Sequence, residues 1–98
     1  MTTFSFRRDE TGRIDFSPRA LAECERQLAP LGLSASIQPA VQYEASLRLI
    51  ELARAIVSVE RCSFNVAAAR VNALHPALAR LSRADLGRGG THHVTVEG

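Results

Sequence analysis

The sequence predicts a mainly α-helical domain with a small antiparallel β-sheet. Apolar residues recur at helical spacing in residues 17–30, in residues 40–59 and in two short segments within residues 63–87. Alternating apolar residues flank a turn in residues 3–16, and a Val-Thr-Val run lies at residues 94–96. The chain has 98 residues, of which 46% are apolar. This length predicts one small domain rather than two independent cores.

The first predicted element is a β-hairpin over residues 3–16. Phe4 and Phe6 share one face, Ile14 and Phe16 repeat the same period, and the turn sequence Asp-Glu-Thr-Gly lies between the two pairs. Because an isolated hairpin is marginally stable in water, we expect its apolar face to cover the core.

A short amphipathic helix follows the hairpin. Ser17 is suited to cap its first turn, Pro18 to occupy its first position, and Pro30 to end it. Its apolar stripe consists of Leu21, Cys24 and Leu28. On the outer face, Glu23 and Arg26 are spaced for a weak ion pair.

Residues 34–39 predict a polar connector between an amino-terminal extension, residues 1–39, and the main body, residues 40–98. A long helix is predicted from about residue 40 to residue 59. Its apolar stripe is wide, which indicates burial on more than one side. The stripe consists of Leu47, Leu49, Ile50, Leu52, Ala53, Ile56 and Val57.

Residues 63–87 predict two short helices joined by a tight turn. Ser63 is a candidate cap for the first helix, whose apolar face consists of Phe64, Ala67, Ala68 and Val71. Residues 72–74 form the predicted turn, and Pro76 starts the second helix. On that helix the predicted packing face consists of Ala77, Leu78 and Leu81. The residues expected to point elsewhere are His75, Ala79, Arg80 and Arg83.

Residues 88–93 predict a turn that leads into a strand at residues 94–96. A single strand needs a partner for its backbone groups, and the amino-terminal hairpin is the candidate. We therefore predict a three-stranded sheet that joins the two ends of the chain.

The order of these residues resembles the helix-turn-helix of LysR-type transcriptional regulators. The matching positions are Ser63-Phe64, Ala67-Ala68, Pro76-Ala77-Leu78, Arg80 and Leu86-Gly87. Residues 47–61 stand where the first helix of that family lies, and residues 94–98 are similar to the strand that ends its wing. The resemblance implies a winged helix-turn-helix for residues 40–98, with the hairpin and helix as an extension. ModE-type winged helices are a weaker second match.

Three departures from the family pattern reduce the expected DNA contacts. Leu74-His75 replaces the usual Ser-Gln, Ala79 replaces a serine, and the segment from Arg80 to Gly87 is about three residues short, nearly one helical turn.

The resemblance implies that the second helix lies in the major groove of double-stranded DNA and that the loop before the last strand reaches the backbone or minor groove. The candidate DNA-binding residues are Ser63, Asn65, His75, Pro76, Arg80, Arg83, Arg88 and His92. Helix capping is the alternative role for Ser63, and an ordinary solvated surface is the alternative for the others.

Charge and cysteine content add little to this prediction. Residues 1–45 carry five Arg against six Asp and Glu, a net charge of −1, and residues 46–98 carry seven Arg against four, a net charge of +3. The basic excess therefore lies on the helix-turn-helix half. Cys24 and Cys62 are expected to be reduced, buried thiols. His92 and His93 would point to opposite faces of a strand, so we expect no metal site.

We therefore expect a small DNA-binding transcriptional regulator that acts as a homodimer, is not an enzyme and uses no cofactor. No apolar run approaches the about 20 residues of a membrane span, so a cytoplasmic location is expected. The alternative is a protein-interaction module, such as an anti-activator, that keeps the winged-helix scaffold but does not read DNA. The three departures and the small charge excess favour this alternative.

Overall fold

The computed structural model describes residues 3–31, 35–83 and 92–97. The elements in chain order are strand β1 (Thr3–Phe6), helix α1 (Pro18–Leu28), a 3₁₀ turn (Ala29–Leu31), strand β2 (Ala35–Ile37), helices α2 (Pro39–Glu60), α3 (Phe64–Leu74) and α4 (Pro76–Leu81), and strand β3 (His92–Val96). The prediction of a mainly helical chain is confirmed.

The three strands form one sheet in the order β1-β3-β2, and both pairs are parallel. Phe4 on β1 and Ile37 on β2 both lie opposite Val94 on β3. The predicted antiparallel sheet is therefore wrong, although the pairing of the last strand with the amino-terminal segment is confirmed. The orientation follows from the connections. Helices link successive strands, and such crossovers allow neighbouring strands to run in the same direction, whereas a tight turn does not.

The predicted hairpin is also wrong. Its turn forms, with Gly12 at a positive φ of 83°, but only one antiparallel bridge follows it, between Arg8 and Ile14. Arg8 and Ile14 form a non-hydrogen-bonded pair, so the backbone groups of Ile14 point away from Arg8. They bind side chains of α2: the N–H of Ile14 donates to Glu44 Oε1 at 3.0 Å, and its carbonyl accepts from Arg48 Nη2 at 3.3 Å.

Helix α1 confirms the sequence prediction in its cap, its extent and its buried face. The hydroxyl of Ser17 accepts from the backbone N–H three residues later at 3.3 Å. Cys24 and Leu28 are buried, and Glu23 and Arg26 form the expected ion pair on the outer face.

The predicted connector at residues 34–39 contains strand β2 instead of being wholly irregular. Gln38 joins this strand to the next helix and holds β3 from both its backbone and its side chain. Its N–H donates to the carbonyl of Val94 at 2.9 Å, and its Oε1 accepts from the N–H of Val96 at 2.9 Å.

The two short helices are present, but the joint between them is tighter than predicted. Ser63 caps α3 through its side chain, and α4 begins at Pro76, as expected. However, α3 continues through Leu74, so the predicted turn at residues 72–74 is helical and His75 alone separates the helices. Phe64, expected on the packing face, is instead exposed.

The main core is shared by all parts of the fold. Its buried residues are Phe6, Ile14, Phe16, Cys24, Leu28, Ala35, Ile37, Val41, Ala45, Leu78, Leu81 and Val94. The predicted extension, residues 1–39, thus packs into the same core as the predicted main body, residues 40–98. A smaller cluster of Ala53, Ala67 and Val71 joins α2 to α3. Helix α4 belongs to the main core.

Candidate functional site

Helix α4, which the family resemblance would place on DNA, is packed into the protein on almost every side. Ala77, Leu78, Ala79 and Leu81 are all buried. Ala79 was expected to point away from the packing face, and that expectation is wrong, since only 6% of it is exposed. A helix of six residues makes fewer than two turns, so contacts with both α1 and α2 leave it little free surface.

Arg80 extends the packing of α4 to helix α1. Its Nη1 donates to Oε1 of Glu25 at 2.8 Å, and the side chains of Arg80 and Glu25 are 20% and 37% exposed. The guanidinium is therefore directed at an acidic neighbour within the fold rather than outward. This geometry favours a structural role for Arg80.

The other predicted DNA contacts do not converge on one surface. Ser63 and Asn65 lie at the start of α3, whereas His75 and Pro76 follow its end, and a helix of 11 residues separates the two groups by about 16 Å. The side chain of Ser63 caps the helix.

Two of the three remaining predicted contacts lie in the described residues. Arg83 is exposed just after α4, and His92 is half-buried in β3. Arg88 lies outside the described residues. A DNA-binding role for these residues remains a prediction.

The described residues form a groove of about 630 Å³. It is lined by α1, by the α3–α4 joint, by Phe16 and by the middle of α2. The lining residues are Phe16, Pro18, Leu21, Ala22, Glu25, Arg48, Glu51, Leu52, Leu74, His75, Pro76, Ala77 and Leu78. Most of them are apolar, as in typical binding clefts.

A second cavity of about 370 Å³ continues the groove along α2 and α3. The two cavities share Leu52, Leu74 and His75, so they form one surface, which we call the docking groove. The second cavity is also lined by Ala55, Ile56, Val59, Glu60 and Val71.

The docking groove contains several of the large apolar side chains that the fold leaves in solvent. Val59 is 82% exposed and Leu74 is 64% exposed, and Leu52 lies between the two cavities with about a third of its surface exposed. Exposed apolar side chains scattered singly are common, but a contiguous group in a concave surface is typical of an interaction site.

Three carboxylates line the docking groove, and each is engaged by an arginine. Besides the Glu25–Arg80 pair, Glu51 pairs with Arg13 at 2.7 Å, and Glu60 pairs with Arg70. The lining carboxylates are therefore neutralised within the fold.

Arg48 is the cation that lines the groove without a carboxylate partner among the described residues. It donates to the carbonyl of Ile14 and lies over the ring of Phe16, with Cζ 5.9 Å from the ring centroid. Its Nε is buried with no hydrogen-bond partner among the described residues, as is Oε2 of Glu25 on α1.

The perturbed ionisable groups lie away from the docking groove. Burial raises the pKa of the Cys24 thiol to about 12, and hydrogen bonds from Arg26 and Gln27 lower the pKa of Glu23 to about 2. No group of His, Cys, Asp and Glu residues able to hold a metal ion occurs in the described part of the chain.

The sequence indicated part of this groove without locating it. The wide stripe of α2 correctly suggested contacts on two sides, and Leu52 and Ile56 belong to it. Leu74 was assigned to a turn, so its exposure at the end of a helix was not foreseen. A continuation of helical spacing from Val71 to Leu74 was the available signal.

Searches of family models, curated proteins and solved structures matched nothing to this chain. In the ranges that the structure describes, no helix has the length and apolar character required to cross a membrane.

Proposed function

We propose that this protein is a protein-interaction module whose docking groove receives a helical segment of a partner protein. The observation that carries the proposal is the exposure of Leu52, Val59 and Leu74 along one continuous groove. Covering these side chains would remove apolar surface from water, which is the main driving force of most protein association.

The length of the groove supports a helix as the occupant. Its lining along α2 extends from Arg48 to Glu60, and twelve helical steps span about 18 Å. A partner helix of about three turns would fill that length with apolar residues at every third or fourth position, the usual form of helix-in-groove recognition.

Binding of double-stranded DNA as a homodimeric regulator is the second candidate function. Its support is the exposure of Arg83 and Asn65 together with the resemblance of residues 63–87 to LysR-type regulators. The packing of α4 and the Arg80–Glu25 pair weigh against it. For either function the proposed location is the cytoplasm, supported by the free thiols of Cys24 and Cys62.

The proposal is tested by panning a phage-displayed library of helical peptides against the full chain and against Leu74→Gln. We expect the parent to enrich peptides with apolar residues at helical spacing and Leu74→Gln to lose that enrichment. Val66→Gln is the matched control, because Val66 is exposed on the same helix but does not line the groove. Equal enrichment by the parent and Leu74→Gln would contradict the proposal.

A second experiment measures the competing function, binding of double-stranded DNA, directly. Fluorescence anisotropy with mixed duplex DNA at about 50 mM and about 500 mM salt would show a steep loss of affinity if several phosphates are contacted. Tight, salt-dependent duplex binding without peptide enrichment would favour the DNA regulator. Sedimentation of the free chain tests the proposed homodimer.

A further inference from the structure

We infer that the partner helix is acidic, with a carboxylate that pairs with Arg48 across the docking groove. This inference rests on the proposed function and specifies the chemistry of the partner. It follows from the balance of charge in the groove lining.

The groove already neutralises its own carboxylates. Glu25, Glu51 and Glu60 each have an arginine partner, so none of them needs a cation from outside. Glu44, one turn before Arg48 on α2, is also engaged, since it accepts from the N–H of Ile14 and lies 3.5 Å from Arg8. A cation on a basic partner would have to compete with these arginines.

Among the described residues, Arg48 is the arginine of the groove lining, and no carboxylate lies at ion-pair distance from it. Its described partners are a backbone carbonyl and an aromatic ring. A carboxylate on the partner would supply the missing counter-charge within an apolar surface, where such a pair gives specificity.

The charges of the groove lining also argue against a second copy of this chain as the occupant of the groove. In a self-association through this face, each groove would offer the other an arginine, while the lining carboxylates stay engaged in their own ion pairs. A different protein whose helix carries apolar and acidic residues would instead bring a carboxylate to Arg48.

The test uses three fluorescein-labelled helical peptides that share one row of leucines and differ only in flanking residues, which are Glu, Gln or Lys. Anisotropy titrations with the full chain should give an affinity for the Glu peptide about tenfold above that for the Gln peptide, or about 1.4 kcal/mol. The Lys peptide should bind most weakly, and the preference for Glu should decrease at high salt.

Arg48→Gln should reduce the preference for the Glu peptide over the Gln peptide to about twofold. Because Arg48 also contacts Ile14 and Phe16, thermal melts would accompany the titrations, and Arg48→Lys should restore part of the preference. Arg54→Gln is the matched control, since Arg54 is exposed on α2 but does not line the groove.

The outcomes separate this inference from the proposed function. If the three peptides bind equally, or if a folded Arg48→Gln keeps the full preference, the acidic partner is wrong while the interaction module stands. If none binds, both are overturned. Concentration-dependent dimerisation that Leu74→Gln abolishes would identify a second copy as the occupant and overturn the inference.

Discussion

The ion pair between Arg80 and Glu25 gives the sharpest test of how helix α4 is used. Arg80→Ala would remove the cation that lies 2.8 Å from a half-buried carboxylate. Two unit charges at that distance attract by about 1.5 kcal/mol in water and by about 6 kcal/mol at an effective dielectric constant of about 20. Lost hydration and partial exposure reduce this gain. We therefore expect a loss of about 1–2 kcal/mol in the free energy of unfolding.

Urea denaturation of the parent, Arg80→Ala, Glu25→Ala and the double variant measures this effect. The double-mutant cycle should give a coupling energy of about 1 kcal/mol, since it isolates the pair from the packing of the arginine stem. Arg83→Ala is the control. Arg83 is exposed and its side chain has no ion-pair or hydrogen-bond partner among the described residues, so Arg83→Ala should change stability by less than about 0.5 kcal/mol.

The reasoning would be refuted by a specific combination of results. If Arg80→Ala unfolds at the same urea concentration as the parent, and if the same variant loses affinity for duplex DNA, the guanidinium acts outward. Arg80 would then regain the role that the family resemblance implies.

Two further predictions concern buried groups. Ala79→Asp should lower the free energy of unfolding by about 3 kcal/mol, because it buries a charge, whereas Ala69→Asp, at an exposed position of α3, should change it by less than about 0.5 kcal/mol in the same urea assay. Burial raises the pKa of the Cys24 thiol from 9.0 to about 12. The contribution of this thiol to the free energy of unfolding is therefore complete below pH 9.0 and is lost as the pH rises toward 12. The expected loss is about 1.4 kcal/mol near pH 10. Denaturation at several pH values should show this loss of stability in the parent but not in Cys24→Ala.

Local signals in the sequence predicted the helices well. Ser17-Pro18 and Ser63 place a side-chain acceptor and a compatible first turn at the start of α1 and α3, and both caps form as expected. Such contacts join residues three positions apart, so their geometry is contained in a few consecutive residues. The positions of α1 and α2 followed from these caps and from apolar periodicity.

The sheet could not be predicted in the same way. The turn near Gly12 does form, but β1, which precedes it, pairs with β3 rather than with residues 14–16. Strand β2 is three residues long, too short for alternation to distinguish it from a connector. Parallel pairing with β3 joins residues distant in the chain, and no local pattern encodes it.

The packing of α4 was only partly contained in the local pattern, and it links the fold to the proposed site. Ala77, Leu78 and Leu81 are buried as predicted, but Ala79 is buried as well. Contacts of α4 with both α1 and α2 determine which of its residues are buried. Once α4 is held between them, Arg80 meets Glu25, and Glu25 is a wall residue of the docking groove.

The contact that α4 would have to give up in order to read DNA also joins two helices that line the docking groove. The Arg80–Glu25 pair connects α4 to α1, and both helices contribute residues to the larger cavity. Breaking this pair should weaken peptide binding along with stability, even though the guanidinium of Arg80 does not line the groove. A chain that used α4 to read DNA would need Arg80 free of Glu25 and would lose that wall contact, so the two functions make opposing demands on one residue.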